Sequence, residues 1–417
     1  MRGLRYLLSR FFLVAMGLSV TKWRKEVQAL WTLPDNERLK RLENELKINR
    51  PLNARGDEVP SLDQLYDSPP LSKKALREQS DNKNNMSRRW GFNRHTAGTT
   101  GEPTHIMVSR KELGRMLAVR DYCFSHYGIR LGQREARLWG RPESGAKPRL
   151  KNYLMNRRVF HPVGSNARQE VISLMKWRPD YVYGYTSLLL EAAKIMDNIG
   201  LKIVPPKCVV CTAETILPAQ KAYIARVFKA PVAEEYGSTE FDVIAFECRE
   251  GHRHLVNPWL MVDENEGLIS DVSRTTQDLI KYQLGDSFII SNSSCQSLGS
   301  VNFIEQLQGR TLDRFFYLTE TQKIHATTFS HIFDQYFSET SDIFSFSLSQ
   351  TAYSILEVSV DSIPVNGIED LRCYLERKAG SIAGVRVSVV VSFFPNRNAS
   401  AKRNYFEQKI TAWEAEI

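Results

Sequence analysis

The chain has 417 residues, of which 42% are hydrophobic and 25% are charged, and its formal net charge is +9 at pH 7. This length exceeds what one hydrophobic core usually supports, so we expect two globular domains. The mean hydropathy of −0.35 and the lack of any run of about 18 apolar residues exclude a protein with several membrane-spanning helices.

The first twenty residues, MRGLRYLLSRFFLVAMGLSV, combine three arginines with a short apolar run that ends near Val20. No small-residue cleavage pattern follows, which disfavours an export signal. We expect an amphipathic helix that packs on the body of the protein or makes peripheral contact with a membrane. The six cysteines are too scattered for a disulfide framework, so the cytoplasm is the expected location, with the inner face of the membrane as an alternative.

Charged helices are expected between residues 20 and 90, broken by a polar connection with prolines at 51, 60, 69 and 70. Further along, short strands alternate with helices of about ten residues, a pattern that predicts parallel sheets covered by helices. Ligands of such sheets gather at the carboxyl ends of the strands. The expected helices are 113–127, 166–176, 187–199 and 218–228, and the expected strands are 137–139, 181–183, 208–212 and 232–235.

After residue 310 the pattern changes to that of a compact α+β unit. Residues 343–349 and 353–360 alternate as paired strands do, residues 367–379 predict a helix, and residues 385–394 predict a β-branched strand. We therefore expect a large N-terminal α/β domain, residues 1–309, and a small α+β C-terminal domain, residues 310–417.

Basic residues concentrate between Arg130 and Arg158. The sequence has no zinc-finger spacing, RNP aromatic motif or basic zipper, so a specific nucleic-acid partner is disfavoured. The basic segment suits a smaller anionic ligand, such as a nucleotide or a sugar-nucleotide diphosphate, or it is a solvated surface.

Residues 96–104 read TAGTTGEPT. The glycines allow the backbone to approach a phosphate chain, and the threonine hydroxyls and main-chain N–H groups can donate hydrogen bonds to its oxygens. The Gly-Lys-Ser/Thr ending of a Walker loop is missing. On composition alone, a phosphate-binding loop and an ordinary turn are both open.

Four motifs in one order resemble those of the adenylate-forming superfamily, which includes acyl-CoA synthetases, peptide-synthetase adenylation domains and luciferases. They are the loop just described, EYGSTE at 235–240, YQLGD at 282–286 and GRTLD at 309–313. The segments ARLWG, WRPDY and YGY, which begin at residues 136, 177 and 183, are similar to the phenylacetate-CoA ligase-like branch. Within that branch, the chain most resembles proteins encoded in capsule and surface-polysaccharide clusters. The resemblance covers residues 90–313 well and the rest weakly.

The resemblance implies that the large domain binds ATP with Mg²⁺. Tyr236 would lie flat against adenine, Thr239 would bond the α-phosphate, and Glu240 would supply an oxygen ligand to Mg²⁺. Asp286 would accept hydrogen bonds from the ribose hydroxyls. The implied nucleotide-binding residues are Thr96, Gly98, Thr99, Thr100, Gly101, Ala213, Glu214, Glu235, Tyr236, Gly237, Ser238, Thr239, Asp286 and Arg310.

Arg310 and Asp313 match the Gly-Arg-x-x-Asp turn at which the small domain of this family swings between two poses, as a mobile lid. The family's catalytic lysine follows the last strand, which makes Lys402 the candidate and Arg403 the alternative. A cation there would neutralise the charge that develops as a carboxylate attacks the α-phosphate. The expected catalytic residues are Lys402, Thr239 and Glu240, with a solvated loop lysine as the other interpretation of position 402.

The implied reaction is activation of a carboxylic acid as its acyl-AMP, with release of pyrophosphate, followed by transfer to an amine, a hydroxyl or CoA. A sugar-linked substrate fits the likeness to capsule-cluster proteins. The acid is expected between residues Trp139, Arg141, Tyr183, Gly184, Tyr185 and Phe241.

Two departures from the family pattern leave an alternative open. Thr104 replaces the phosphate-loop lysine, and Tyr282-Gln283 replaces the usual Arg-Tyr. Arg94 or His95 could supply the missing charge near the phosphates. A catalytically silent scaffold of a glycan-assembly complex is therefore the alternative to an active enzyme.

Cys248, His252, His254 and Cys295 resemble the positions of a structural zinc cluster in some members of the branch. Ser297 stands where those members have the second cysteine of a Cys-x-Cys pair, so a complete ligand set requires both histidines. The alternative is that these are loop residues without a metal.

Overall fold

The computed structural model describes residues 2–49, 68–82, 91–95, 104–140, 145–263, 267–291, 293, 295, 297, 302–310, 315–394 and 405–410. The helices in these ranges are α1 (Arg2–Ala15), α2 (Val20–Thr32), α3 (Asp35–Asn49), α4 (Lys73–Asn82), α5 (Arg110–Ser125), α6 (Ala146–Leu154), α7 (Ala167–Lys176), α8 (Thr186–Asn198), α9 (Pro218–Phe228), α10 (Thr327–Thr340) and α11 (Ile368–Ala383). The strands are β1 (Gly91–His95), β2 (His105–Ser109), β3 (Glu135–Leu138), β4 (Arg157–Phe160), β5 (Tyr181–Tyr185), β6 (Cys208–Thr212), β7 (Val232–Ser238), β8 (Asp242–Glu247), β9 (Arg253–Leu255), β10 (Leu260–Asp263), β11 (Leu268–Asp271), β12 (Tyr282–Gln283), β13 (Asp286–Ile290), β14 (Phe303–Arg310), β15 (Phe315–Tyr317), β16 (Lys323–His325), β17 (Phe346–Ala352), β18 (Ile355–Val360), β19 (Ser388–Phe393) and β20 (Phe406–Gln408).

Local sequence signals account for where several helices begin. Helix α5 starts with a capping box, because the Ser109 hydroxyl accepts from the Glu112 N–H and the Glu112 carboxylate accepts from the Ser109 N–H. Helix α9 has Pro218 in its first turn, where the missing N–H costs nothing. The predicted helices 113–127, 166–176, 187–199 and 218–228 are confirmed by α5, α7, α8 and α9.

Unit 1, one of two compact units, comprises Met1–Gln133, Leu154–Asn156 and Ala233–Leu307. Its larger sheet has the strand order β13-β14-β9-β8-β7. In it, β14 pairs antiparallel with β9, β9 with β8, and β8 with β7. The antiparallel β1–β2 hairpin and the three-stranded antiparallel sheet β10-β11-β12 also belong to this unit. Parallel sheets were expected only from the alternating strands and helices up to residue 235, and in the rest of this unit hairpin turns reverse the chain without a crossover helix.

Unit 2 comprises Arg134–Tyr153, Arg157–Val232 and Gln308–Ile417. Its strands β6-β5-β3-β4 are all parallel, as expected for strands that alternate with helices. A second sheet has the order β19-β18-β17-β20, in which β17 and β18 form the predicted strand pair and run antiparallel. The proposed boundary near residue 309 and the mobility of the C-terminal part stay predictions.

Each unit buries its own apolar residues. In unit 1, Ile106, Phe241 and Tyr282 belong to one core cluster. In unit 2, Val182 and Val209 lie in a core beneath the parallel strands. The helices and second sheet of its C-terminal part enclose another core, which includes Phe316, Phe329, Phe333, Tyr336 and Phe344.

The predicted amphipathic helix at the N-terminus is present as α1. In the part of the chain that the structure describes, no single helix is both long enough and apolar enough to cross a membrane. The bent pair Gly3–Ala15 and Val20–Thr32, whose axes differ by 84°, reaches that length and composition only when its two members are combined.

Candidate functional site

The motif at 235–240 lies on the β7–β8 hairpin of unit 1. Strand β7 continues to Ser238, three residues beyond the predicted strand end at 235, and residues 239–241 form the turn. A Cβ atom at Gly237 would lie 2.0 Å from the carbonyl oxygen of Asp242, so only glycine fits there. Asp242 itself has a φ of 63°, a left-handed conformation that is uncommon outside glycine. The hairpin therefore fixes the backbone of the motif tightly.

A buried charge network supports this hairpin. The guanidinium of Arg120 donates to both carboxylate oxygens of Glu235, at 3.2 and 3.1 Å, and to Asp242 at 3.0 Å. Arg94 donates to the same Asp242 oxygen at 3.4 Å. Glu235 was predicted to contact the nucleotide, but its carboxylate is buried and bound by Arg120. Its side chain therefore anchors β7 to α5.

Tyr236 and Asp286 meet on unit 1. The hydroxyl of Tyr236 donates to Asp286 Oδ2 at 2.9 Å. Burial, together with the neighbouring Asp286 carboxylate, raises the pKa of Tyr236 well above its usual value, so its proton stays in this hydrogen bond. The side chains predicted to contact adenine and ribose are thus adjacent, and each restricts the orientation of the other.

Glu240, the predicted Mg²⁺ ligand, is the central residue of the hairpin turn and is 4% exposed. The hydroxyl of Tyr282 donates to its Oε1 at 2.9 Å, and Arg274 donates to its backbone oxygen at 3.2 Å. Burial and the Glu240 carboxylate raise the pKa of Tyr282. Sequence reasoning treated Tyr282 only as the loss of an arginine, whereas the structure makes it the residue that orients Glu240.

Two further residues of the motif region have clear structural roles. The Ser238 hydroxyl accepts from the Phe241 N–H at 3.3 Å, which closes the turn around Thr239. Phe241, predicted to line the acid pocket, is 0% exposed and contacts the ring of Tyr282 edge-on at 5.9 Å. Its ring therefore packs in the core beneath the turn.

A cation that sequence reasoning missed lies at the end of the predicted phosphate loop. Thr104, which replaces the family's lysine, is fully buried, and Arg77 Nε donates to its hydroxyl at 3.1 Å. Arg94 was proposed to supply the missing charge, but it pairs with Asp242. Arg77 lies 27 residues before Thr104 in a charged helix, so no local motif could have identified it.

The aromatic residues predicted to bind the acid cluster at the carboxyl ends of the parallel strands in unit 2. The Trp139 ring lies 4.1 Å from that of Tyr185 and stacks on Tyr183 at 5.9 Å, measured between ring centroids. The Arg137 guanidinium lies 4.8 Å from the centroid of Tyr183 and 5.6 Å from that of Trp139. A Cβ atom at Gly184 would lie 2.4 Å from the Leu138 carbonyl oxygen, so this glycine permits close strand packing.

The charge of this cluster is set by Glu135, which is 3% exposed. Its carboxylate accepts from Arg137 at 2.6 Å, from Arg157 at 2.7 and 3.1 Å, and from the Tyr181 hydroxyl at 2.8 Å. Burial alone would raise the pKa of Glu135, but Arg137 and Arg157 lower it to about 2. Two guanidinium groups therefore face this one carboxylate, so these three side chains together carry one positive charge. Burial and the Glu214 carboxylate raise the pKa of Tyr185, so a second acid lies near the rings.

Ala213 and Glu214, predicted for the adenine pocket, follow β6 in unit 2. Ala213 has a φ of 68°, a strained conformation for a residue with a Cβ atom. Glu214 Oε2 accepts from the Ser187 N–H at 2.8 Å, at the start of α8, where the helix dipole favours a carboxylate. A cavity of the same unit is lined by Thr186, Ser187, Leu190, Glu214, Thr215, Leu217, Gln220, Ser345, Phe346 and Tyr405.

The predicted zinc ligands come together in unit 1. One ligand atom each from Cys248, His252, His254 and Cys295 lies within 4.8 Å of all the others, and the two sulfurs are 4.0 Å apart. The tight turn between β8 and β9 arranges three of them, since the Cys248 N–H donates to the His252 carbonyl at 2.9 Å. Two thiols and two imidazoles are a donor set suited to tetrahedral Zn²⁺. The residues present therefore fit the metal.

Several predicted site residues lie outside the described residues. These are Thr96, Gly98, Thr99, Thr100, Gly101, Arg141, Asp313, Lys402 and Arg403, together with the side chains of His95 and Arg310. Their roles stay predictions.

No protein-family model matches the chain. Among curated proteins, it is similar to protein CapK of Staphylococcus aureus, with 25% identity over 213 residues. The aligned segment is 47% of this chain and 47% of that protein, so the match spans about half the length of the relative.

Among solved structures, the chain is similar to 2-hydroxyisobutyryl-CoA ligase in the postadenylation state in complex with R3-HIB-AMP. The TM-score is 0.65 at 17% identity, and the match covers 90% of this chain and 89% of that chain. The same ligase in complex with 2-HIB-AMP and CoA in the thioesterification state gives a TM-score of 0.52 at 18% identity, covering 91% of each chain. The fold of adenylate-forming enzymes, expected from the four motifs, is confirmed.

Proposed function

We propose that the chain is an AMP-forming ligase that activates a carboxylic acid as its acyl-AMP, releases pyrophosphate and passes the acyl group to a thiol, amine or hydroxyl acceptor. The observation that carries this proposal is the hydrogen bond between Tyr236 and Asp286, at positions of the nucleotide-binding motifs and in a chain with the fold of an acyl-AMP-forming ligase.

In this proposal, unit 1 supplies most of the ATP contacts. The Tyr236 ring stacks on adenine, and Asp286 accepts hydrogen bonds from the ribose hydroxyls. Glu240, held by Tyr282, is the ligand of Mg²⁺, which would neutralise phosphate charge when bound. Thr239 bonds the α-phosphate, and Arg77 contributes positive charge where the family has a lysine.

The acid is proposed to bind beside the Trp139 cluster of unit 2. Aromatic rings offer apolar contact, and the net positive charge of the Glu135, Arg137 and Arg157 group favours a carboxylate. CoA is the first acceptor to test, because the 2-hydroxyisobutyryl-CoA ligase structure in the thioesterification state contains CoA together with 2-HIB-AMP. A role in capsule or surface-polysaccharide synthesis is consistent with the partial likeness to CapK. A sugar-linked acid or acceptor is part of the same proposal.

The four Cys and His residues are proposed to hold a structural Zn²⁺. The metal would link the β8–β9 turn to the loop that contains Cys295. This link would stabilise the sheet to which the β7–β8 hairpin belongs. Metal analysis of the purified protein should find about one zinc per chain. The Cys248→Ser variant should lose it, whereas Cys373→Ser, at an exposed cysteine in α11, should retain it.

Pyrophosphate exchange with pooled carboxylic acids tests the proposal directly. Pools of hydroxy acids, aryl acids and uronic acids are incubated with ATP, Mg²⁺ and labelled pyrophosphate, and mass spectrometry identifies any acyl-AMP. An active pool is then repeated with CoA, amines and hydroxyl acceptors. A protein that exchanges no pyrophosphate with any acid, while it binds ATP, would be the silent scaffold instead.

The Lys402→Ala variant separates binding from chemistry. Loss of a preorganised cation at the transition state should lower the rate of adenylation by roughly two to four orders of magnitude. ATP affinity, measured by calorimetry, should stay within a few fold. Arg403→Ala is the matched control, since it removes a neighbouring cation. Full activity of Lys402→Ala would show that the catalytic lysine lies elsewhere or is not used.

A further inference from the structure

Helix α1 presents its apolar face to solvent. Leu4, Leu7, Phe11 and Val14 are 73%, 62%, 71% and 63% exposed. At 3.6 residues per turn, these four side chains fall within an arc of about 80°. The exposed face is therefore a continuous apolar strip, whereas surface helices of a soluble domain normally expose their polar side.

The opposite face of α1 is turned inward and fixed there. Ser9 is 0% exposed, and a Cβ atom at Gly132 would lie 3.1 Å from its hydroxyl. Leu13 is buried on the same side. Arg10 donates to the Thr21 hydroxyl, and its guanidinium lies 3.9 Å from Asp121. Rotating the apolar strip inward would break these contacts and expose Leu13.

Basic residues outnumber acidic ones on α1, on the start of α2 and in the contacts that hold α1 in place. Asp121 is fully buried and faces Arg10, Arg24 and Arg130, at 3.9, 3.7 and 2.9 Å. Three guanidinium groups thus share one carboxylate. The sequence up to residue 25 contains six lysines and arginines and no acidic residue, and Lys22 and Lys25 are exposed.

We propose that α1 is an interfacial helix that docks the protein on an anionic lipid surface. The apolar strip enters the boundary between headgroups and acyl chains, and the surrounding cations attract acidic headgroups. A second copy of the chain fits less well, because a two-fold interface through the apolar strip would also bring the basic residues of the two N-terminal segments together.

Vesicle flotation of the full chain tests the proposal, with phosphatidylcholine vesicles alone or with about 30% phosphatidylglycerol. The wild type should bind the anionic vesicles at least about tenfold more tightly than the neutral ones. Replacing Leu7 and Phe11 together by glutamine should weaken that binding at least about tenfold. Lys22→Gln with Lys25→Gln should weaken it several-fold, as should about 0.5 M NaCl.

The matched control replaces Ile363 and Val365, which are 57% and 84% exposed in unit 2, by glutamine. This control should bind as the wild type does, and all variants should unfold at similar temperatures because the altered side chains are exposed. Equal binding of the control and the α1 variant, or no binding of the wild type to either vesicle, would overturn the proposal. A wild-type dimer that the α1 variant converts to a monomer, without lipid binding, would assign the strip to a second copy.

Discussion

Each unit contains a buried glutamate held by arginine, and the two groups differ in charge. In unit 1, Glu235 and Asp242 face Arg120 and Arg94, so the network is neutral. In unit 2, Glu135 faces Arg137 and Arg157, which leaves one positive charge. A neutral network rigidifies the hairpin with the nucleotide motif, whereas an unbalanced one can attract an anionic substrate.

Among the substitutions in these two networks, removing Arg120 from the neutral one should reduce the stability of the protein most. Arg120→Met leaves Glu235 buried without its bidentate partner, which should lower the free energy of unfolding by about 3–5 kcal/mol. Chemical denaturation of the wild type and the variant measures this loss of unfolding free energy. The control Arg226→Met removes a cation that pairs with Asp197 on an exposed surface and should cost at most about 1 kcal/mol. Similar losses in both variants would show that the Arg120 network does not hold the hairpin.

The stability that the unbalanced network of unit 2 contributes should depend on pH. The pKa of Glu135 in the folded protein is about 2, below its value in the unfolded chain, so its stabilising contribution is complete above pH of about 4.5. That contribution, of about 3 kcal/mol, is lost as the pH falls towards 2.

The readout is the difference in unfolding free energy between the wild type and Glu135→Gln. This difference should be largest near neutral pH and should shrink below pH of about 4, because the protonated glutamic acid resembles glutamine. A difference that is constant from pH 7 to 3 would contradict the assignment of the low pKa to Glu135.

The comparison of the two units also shows what the sequence could and could not predict. Apolar periodicity and caps predicted the helices α5, α7, α8 and α9. Contiguous motifs identified Tyr236, Glu240 and Asp286 as candidates, and their roles stay predictions. Helix α10 has the sequence TTFSHIFDQYFSET, which is rich in aromatic and β-branched residues. It was missed because such residues favour strands and have low helix propensity.

The partners of the site residues were missed for a different reason. Arg120 binds Glu235 across 115 positions of sequence, and Tyr282 binds Glu240 across 42. No local pattern encodes such pairs, because they depend on how strands and helices pack. The outward orientation of the apolar face of α1 was also not predictable, because the apolar face of an amphipathic helix normally packs against the core.

Within unit 1, the residues proposed to bind ATP should control adenylation. Asp286→Ala removes the proposed ribose acceptor and the Tyr236 contact, and Glu240→Gln removes the proposed Mg²⁺ ligand. Each should lower pyrophosphate exchange by about a hundredfold. Glu320→Gln, at an exposed turn, is the control for removing a carboxylate. Near-normal exchange by either folded variant would remove the residue from the nucleotide site.

The smallest effect on activity is expected from a substitution in the charged aromatic cluster of unit 2. Trp139→Leu removes the ring that stacks on Tyr183 and Tyr185, so kcat/KM for the acid should fall about tenfold, since a lost aromatic contact costs about 1 kcal/mol or more. The KM for ATP should not change, because the cluster is proposed to bind the acid and not the nucleotide. Trp177→Leu is the matched control: its ring contacts Phe160, so its loss should lower stability without altering the preference among acids. A rise in the KM for ATP with Trp139→Leu, and none for the acid, would reassign the cluster to the nucleotide. The net charge beside it would then serve phosphate rather than the substrate carboxylate.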